Sequence, residues 1–142
     1  MDIWRISNFV DLSGRGGLLT DGRWHSRSLP IVYCADHPST AMLEVLVHVD
    51  AEDVPGTYQL LRITCPDDVP QHRIDNLDIT DLAMTRSVGT NFLTENRGLL
   101  LNVPSIVMPA ARNILINPRH ARASDLEIAD IFHYPFDRRL KG

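Results

Sequence analysis

Apolar residues recur along the chain at two different periods, and the change of period sorts it into elements. In "DIWRIS" (2–7), Ile3 alternates against Trp4 and Arg5, as in a short strand. "IVYCA" (31–35) is an apolar run of strand length, and "TYQLLRIT" (57–64) alternates through Tyr58, Leu60 and Arg62 on one side. The last third supplies "SIVM" (105–108), "NILIN" (113–117) and "LEIADIFHY" (126–134). Pro104, Pro109 and Pro118 punctuate these runs, which favours short strands or edges. Helical character is confined to "STAMLEVLVHV" (39–49), with Ser39 or Thr40 as N-cap, and to one or two short helices within residues 80–97. "DLSGRGGLLTDGRWHSRSLP" (11–30) fits neither period, and irregular loops of that length inside a compact domain tend to be functional. Together these predict a single α+β domain, richer in strand than helix and without repeated βαβ units.

The 39–49 helix poses a problem. Ala41, Met42, Leu43, Val45, Leu46, Val47 and Val49 cover every face, the pattern of a buried helix. Glu44 stands among them with only His48 for polar company. An ionised carboxylate in apolar surroundings must find partners or raise its pKa. A solvated helix edge would accommodate it, as would a hydrogen-bond network in the core. A third solution is a cleft bordered by the helix, into which Glu44 projects to stabilise cationic charge or to act as a base.

Composition narrows the options. A chain of 142 residues, 44% hydrophobic and 23% charged, has the make-up of a soluble globular domain. That length supports one core without disulfide or metal staples. The net charge of −4, from 14 basic and 18 acidic residues, argues against a nucleic-acid-binding surface but allows a local basic pocket for a small anion. Cys34 and Cys65 belong to no C-x-x-C pair and read as small buried hydrophobes in a reducing compartment. The N-terminal residues carry no signal-peptide pattern and no apolar stretch is long enough to span a membrane, so the expected location is cytoplasmic.

Candidate chemistry clusters just before the problematic helix. "DGRW" places Arg23 in a glycine-rich loop, where a guanidinium fork can hold anionic oxygens bidentately; a plain surface charge is the competing role. Tyr33 shares a strand face with Ile31, a position as well suited to core as to active site. If loop, strand and helix pack consecutively, Arg23, Tyr33 and Glu44 converge on one cleft. Glu44 and His48 share a helix face, but "EVLVH" is not the H-E-x-x-H zinc motif and no metal site is expected. "SGRGGL" lacks G-x-G-x-x-G and a Walker lysine, and reads as a turn. Ser105 has no G-x-S-x-G context and reads as a strand or turn residue satisfying a local backbone group.

The chain opens with "WRIS", continues through "GRW", "VYCA" and "AMLEVLVH", then "VPSIVMP" and "NILINPRH", and closes with "FDRRL". In order and spacing this series resembles the RES-domain toxins, partners of Xre-type antitoxins in bacterial toxin–antitoxin operons. The resemblance implies one RES domain over residues 1–142. It also implies an ADP-ribosyltransferase-like core of two small, mostly antiparallel sheets with flanking helices around an NAD cleft. The family's arginine–tyrosine–glutamate site falls on Arg23, Tyr33 and Glu44. Ser105 matches the family's serine and Arg5 a further arginine of the first strand, both expected to bind substrate or to position groups that do. Two departures, Asp21 where a glycine is common and Ala121 where proline often follows the histidine, affect loop shape alone.

The implied activity is cleavage of the nicotinamide–ribose bond of NAD, which is substrate, with no cofactor or metal. Relatives transfer ADP-ribose to a protein or use phosphate as acceptor. The implied partner is an Xre-type antitoxin that covers the active-site entrance and carries the DNA-binding domain. This chain would then bind no nucleic acid or membrane directly, and a homodimer inside the antitoxin complex is compatible with the family. Three alternatives remain at the level of sequence. One is an ADP-ribosyltransferase with a defined protein target. Another is an RNA-cleaving toxin, since arginine, histidine, tyrosine and glutamate serve that chemistry too. The third is a module that binds and inhibits a partner without catalysis.

Overall fold

The structure, a computed structural model, describes residues 1–141. Its strands are β1 (Asp2–Ile6), β2 (Val32–Ala35), β3 (Thr57–Thr64), β4 (Gln71–Arg73), β5 (Leu100–Pro104), β6 (Arg112–Ile116) and β7 (Glu127–Pro135). They form one sheet in the order β4-β5-β6-β2-β1-β3-β7, antiparallel at every junction except β4–β5. Two helices, α1 (Pro38–Leu46) and α2 (Leu82–Glu95), complete an α+β fold. None of the helices is long and apolar enough to cross a membrane among the described residues.

The two sheets expected are found as one, for a reason that matters to the site. β1 pairs with β3 from Asp2 through Ile6, and β2 pairs with β6 from Val32 through Ala35. Between β1 and β2 the register holds a single pair, Trp4 opposite Ala35. The sheet is therefore two halves, β4-β5-β6-β2 and β1-β3-β7, hinged at one residue pair. Past Trp4 the two strands part, and a gap opens where a ladder would otherwise continue.

Period-two alternation sends side chains to two separate cores. Ile3, Val32, Leu61, Ile63, Ile114 and Ile116 pack on one face. On the other, Ile31, Leu101, Val103 and Leu115 pack with Trp24 and with Phe92 and Leu93 of α2, and Tyr33 borders them. The shared face expected for Ile31 and Tyr33 is thus observed.

Three local expectations are corrected, and the one or two helices expected within residues 80–97 are found as one. The cap of α1 is His37, whose Nδ1 accepts from the Ser39 N–H at 3.1 Å, because Pro38 occupies the first helical position, where its missing N–H costs nothing. The helix ends at Leu46 rather than Val49, and it is not sealed in the core: Met42, Leu43, Glu44 and Val45 are only half-buried. Residues 80–97 hold one 14-residue helix, α2, capped by the Asp81 carboxylate on the Met84 N–H and ended by Asn96 at φ 55°, a left-handed position that asparagine tolerates. "SIVM" is a turn. The Ser105 hydroxyl accepts from the Val107 and Met108 N–H groups and closes it, while the strand lies one step earlier, in β5.

Candidate active site

The gap between β1 and β2 forms the floor of a cleft of about 1060 Å³. One face of α1, the first turns of α2 and the 21–24 loop wall it. Arg5, Arg23, Tyr33 and Glu44 all line this cleft, so four of the five site residues read from the sequence come together. The fifth, Ser105, is 3% exposed and lies directly behind Glu44.

The apolar helix is explained by its having two burials to serve. Met42, Leu43, Leu46 and Val49 pack with Val54, Tyr58 and Phe136 in a third core cluster. Ala41, Glu44 and Val45, on one face of α1, line the cleft, joined by Val47, His48 and Val49 just past its end. Glu44 is half-buried there, and its Oε1 accepts from the Ser105 hydroxyl at 3.2 Å. Ser105 meanwhile accepts from the Val107 and Met108 N–H groups at 3.2 and 3.1 Å. One proton and two lone pairs are all a hydroxyl has. Its capacity is filled by the protein, so Ser105 orients the carboxylate and leaves none of its own bonding to a ligand.

Arg23 is held by the docking of its loop on α2. Arg86 Nε donates to the Gly22 carbonyl at 2.9 Å, the Thr85 hydroxyl to the Arg23 carbonyl at 2.6 Å, and the Ser26 N–H to the Thr90 hydroxyl at 3.3 Å. Gly89 lets the Trp24 backbone lie against the helix, since a Cβ there would sit 1.6 Å from the Trp24 carbonyl oxygen. Each residue from Gly22 to Ser26, His25 excepted, is thereby fixed to one rigid element.

Three guanidiniums border the cleft. Arg5 Nη1 donates to the Asp11 carbonyl at 3.2 Å, Arg23 Nη1 to the Ile79 carbonyl at 3.0 Å, and Arg86 to Gly22 as above. None of the three forms an ion pair among the described residues, whereas Arg62, Arg73, Arg112, Arg122 and Arg139 all do. Five N–H donors per guanidinium leave most of each fork open to an anion. Arg86 was not legible in the sequence; nothing in "MTRSVGT" marks it until α2 is packed against the 22–26 loop.

Tyr33 belongs to a small polar network. Its Oη accepts from the Trp24 N–H at 3.2 Å and lies 2.7 Å from His25 Nδ1. His25 Nε2 lies 3.1 Å from the Gly17 carbonyl oxygen, which can only accept, so the neutral ring carries its proton on Nε2 and the Tyr33 hydroxyl donates to Nδ1. Burial pushes the phenol up to about 12, against the smaller opposing influence of the Trp24 N–H and of Arg86 and Arg23. Tyr33 thus offers the cleft a neutral aromatic wall. Cys34 on the floor is likewise driven up to about 12 by burial and is no thiolate nucleophile at neutral pH.

Anion-holding forks, an aromatic wall and an oriented carboxylate suit a ligand that is anionic at one part and develops positive charge at another. No group of three or more His, Cys, Asp or Glu side chains among the described residues could hold a metal ion.

Residues 2–137 match the RES domain. The chain belongs to the RES family. It is 48% identical over 133 residues to the Toxin Res of Pseudomonas putida, spanning 90% of this chain and 92% of that protein. It is 31% identical over 152 residues to the Prs ADP-ribosylating toxin of a Sphingobium species, spanning 96% and 94% respectively. Among solved structures, the M. tuberculosis MbcT–MbcA toxin–antitoxin complex contains a chain of the same fold, with a TM-score of 0.76 at 19% identity, covering 99% of this chain and 86% of that one. The RES match thus spans the whole sheet and every cleft-lining residue.

Proposed function

We propose that this RES-family toxin breaks the nicotinamide–ribose bond of NAD, with Glu44, Arg23 and Tyr33 as its principal residues. The observation that carries the reading is the convergence of a guanidinium, a phenol and a carboxylate from loop, strand and helix on one cleft. Heterolysis sends the bonding electron pair to the pyridinium nitrogen, so nicotinamide leaves neutral and the ribose carbon becomes oxocarbenium-like. Glu44, oriented by Ser105, stabilises that centre as carboxylates do in glycoside cleavage. Arg23, with Arg86 bonded to the Gly22 carbonyl of the same loop, holds the pyrophosphate, so binding energy far from the reacting bond fixes its position, and Arg5 on β1 adds a third cationic fork at the cleft border. Tyr33 packs on the nicotinamide or ribose and keeps water from the wrong face.

The test is chromatographic detection of nicotinamide and its co-product from NAD. Glu44→Gln keeps the side chain's shape and removes its charge, and lowers turnover by roughly a hundredfold or more. Nicotinamide release at the wild-type rate by a folded Glu44→Gln protein would overturn the assignment.

The name of the Sphingobium relative, an ADP-ribosylating toxin, favours a second reading in which a cellular protein accepts the ADP-ribose. The cleft and the bond broken are the same, and only the acceptor differs. With NAD labelled in its adenine half, label on a protein band indicates transfer and free ADP-ribose indicates hydrolysis.

The partner on this reading is an Xre-type antitoxin covering the cleft mouth. The fold neighbour was solved as a toxin–antitoxin complex, and Val47, Leu82 and Ile106 expose apolar surface on the cleft walls.

A further inference from the structure

Asn113 of β6 is a polar side chain on the cleft wall that the preceding chemistry leaves without a task. It stands opposite Ala35 on β2 and opposite Val103 on β5. Ala35 is in turn opposite Trp4, so Asn113, Ala35 and Trp4 form a row across the sheet at its hinge, with side chains on one face. Its Nδ2 donates to the Cys34 carbonyl at 3.4 Å, which fixes the orientation of the amide, because a carbonyl cannot face Oδ1 favourably. Oδ1 has no partner among the described residues. Among the described residues no side-chain oxygen or nitrogen sealed from solvent lacks a partner, so Oδ1 keeps some exposure, on a residue that lines the cleft.

Its place along the cleft identifies what it can meet. The Ser105 N–H donates to the Ala111 carbonyl at 3.0 Å, continuing the β5–β6 pairing, and Asn113 lies two residues along that strand. Diagonal neighbours of this kind are about 7–8 Å apart. Ser105 in turn holds Glu44. Asn113 is therefore near the carboxylate, where the bond is broken, while Arg86 is bonded to Gly22, which packs on the Tyr33 hydroxyl, and Arg23 follows in the same loop. A ligand with its phosphates on the arginines and its reacting carbon at Glu44 brings its leaving group to Asn113.

We propose that Asn113 is the specificity residue for the carboxamide of the leaving nicotinamide, with Oδ1 accepting from the carboxamide N–H. This rests on the NAD reading above. A carboxamide offers a donor to Oδ1, whereas a carboxylate in its place offers only acceptors, and a buried acceptor left facing another is penalised. Asn113 would then select NAD against nicotinic acid adenine dinucleotide, which differs at that group alone.

The test is equilibrium binding of the two dinucleotides, measured by calorimetry in a Glu44→Gln background. That background slows turnover and removes the repulsion Glu44 itself would exert on the carboxylate. The Glu44→Gln protein is expected to bind NAD at least about tenfold tighter than the acid analogue. Adding Asn113→Ala brings the ratio to near unity by weakening NAD. Adding Asn113→Asp retains or widens it, because aspartate still accepts from the carboxamide and repels the acid. A merely structural role would weaken both dinucleotides alike. Equal affinities before Asn113 is changed, an unchanged ratio in Asn113→Ala, or no binding of either dinucleotide overturns the proposal. Selective NAD binding that depends on Asn113, in a protein whose wild type releases no nicotinamide, upholds it and overturns the cleavage reading instead.

Discussion

The Ser105 hydroxyl donates to Glu44 Oε1 at 3.2 Å, joining residues 61 positions apart in sequence. Because that hydroxyl is itself pinned by the Val107 and Met108 N–H groups, the carboxylate inherits the rigidity of the β5–β6 turn. Ser105→Ala is expected to lower kcat for nicotinamide release by about tenfold, with KM for NAD little changed, since misplacing a reacting group costs rate more than binding. The Glu44→Gln/Ser105→Ala double variant should be no slower than Glu44→Gln alone. Additive losses in that cycle would show that Ser105 acts other than through Glu44.

Arg86 is expected to behave differently. Arg86→Met removes a cleft cation and frees the Gly22 carbonyl, so KM for NAD rises by about tenfold while kcat falls less. Arg86→Lys restores the charge but not the fork that reaches Gly22 and ligand at once, and should recover only part of the affinity. Steady-state kinetics on the three proteins decide it. A KM unchanged in Arg86→Met would leave Arg86 as a clamp on the loop and nothing more.

Why Arg86 and Asn113 escaped the sequence, while Arg23, Tyr33 and Glu44 did not, has a physical basis. The latter three fall on consecutive elements, and a carboxylate on an otherwise apolar helix advertises a conflict that only a site or a network resolves. Strands with full alternation, such as Thr57–Thr64, were legible to the residue. By contrast, β4 has three exposed residues and no alternation to read, and exists because β5 offers an edge. Ser105–Met108 is apolar enough to suggest a strand, yet one hydroxyl accepting two N–H groups makes it a turn. The hinge at Trp4 and Ala35, which makes the cleft, is a matter of which pairs fail to form, and no local pattern records that.

Gly89 tests how far the site depends on α2. A Cβ there would fall 1.6 Å from the Trp24 carbonyl oxygen, a backbone atom that cannot swing aside. Gly89→Ala must push the helix off the loop and is expected to cost about 2–4 kcal/mol despite the better helix propensity of alanine. Gly16, where an added Cβ meets nothing within 4 Å, is the matched control, and Gly16→Ala should change stability by less than about 0.5 kcal/mol. Urea midpoints of the two variants give the comparison. Equal midpoints would mean that the loop and helix are not in the contact described.

Tyr33 supplies a pH signature of the same packing. Its folded-state pKa, at about 12, lies above the ordinary value of 10.0, chiefly because burial disfavours the phenolate. A group raised on folding holds more protons in the native state between those two values, so its stabilising contribution is complete below pH 10 and is lost as pH climbs towards 12. Tyr33→Phe loses the bond accepted from the Trp24 N–H and should be less stable than wild type by about 1–2 kcal/mol near neutrality. It also lacks the ionisation that weakens the wild type at high pH, so the two stability curves converge across that alkaline window. Cys34, likewise raised from 9.0 to about 12 by burial, contributes the same downward trend to both proteins and cancels in the difference. Urea unfolding at stepped alkaline pH measures the gap between the curves. A constant gap would mean that the Tyr33 hydroxyl titrates as freely in the folded chain as in the unfolded one, and that it is not sealed between the loop and the sheet.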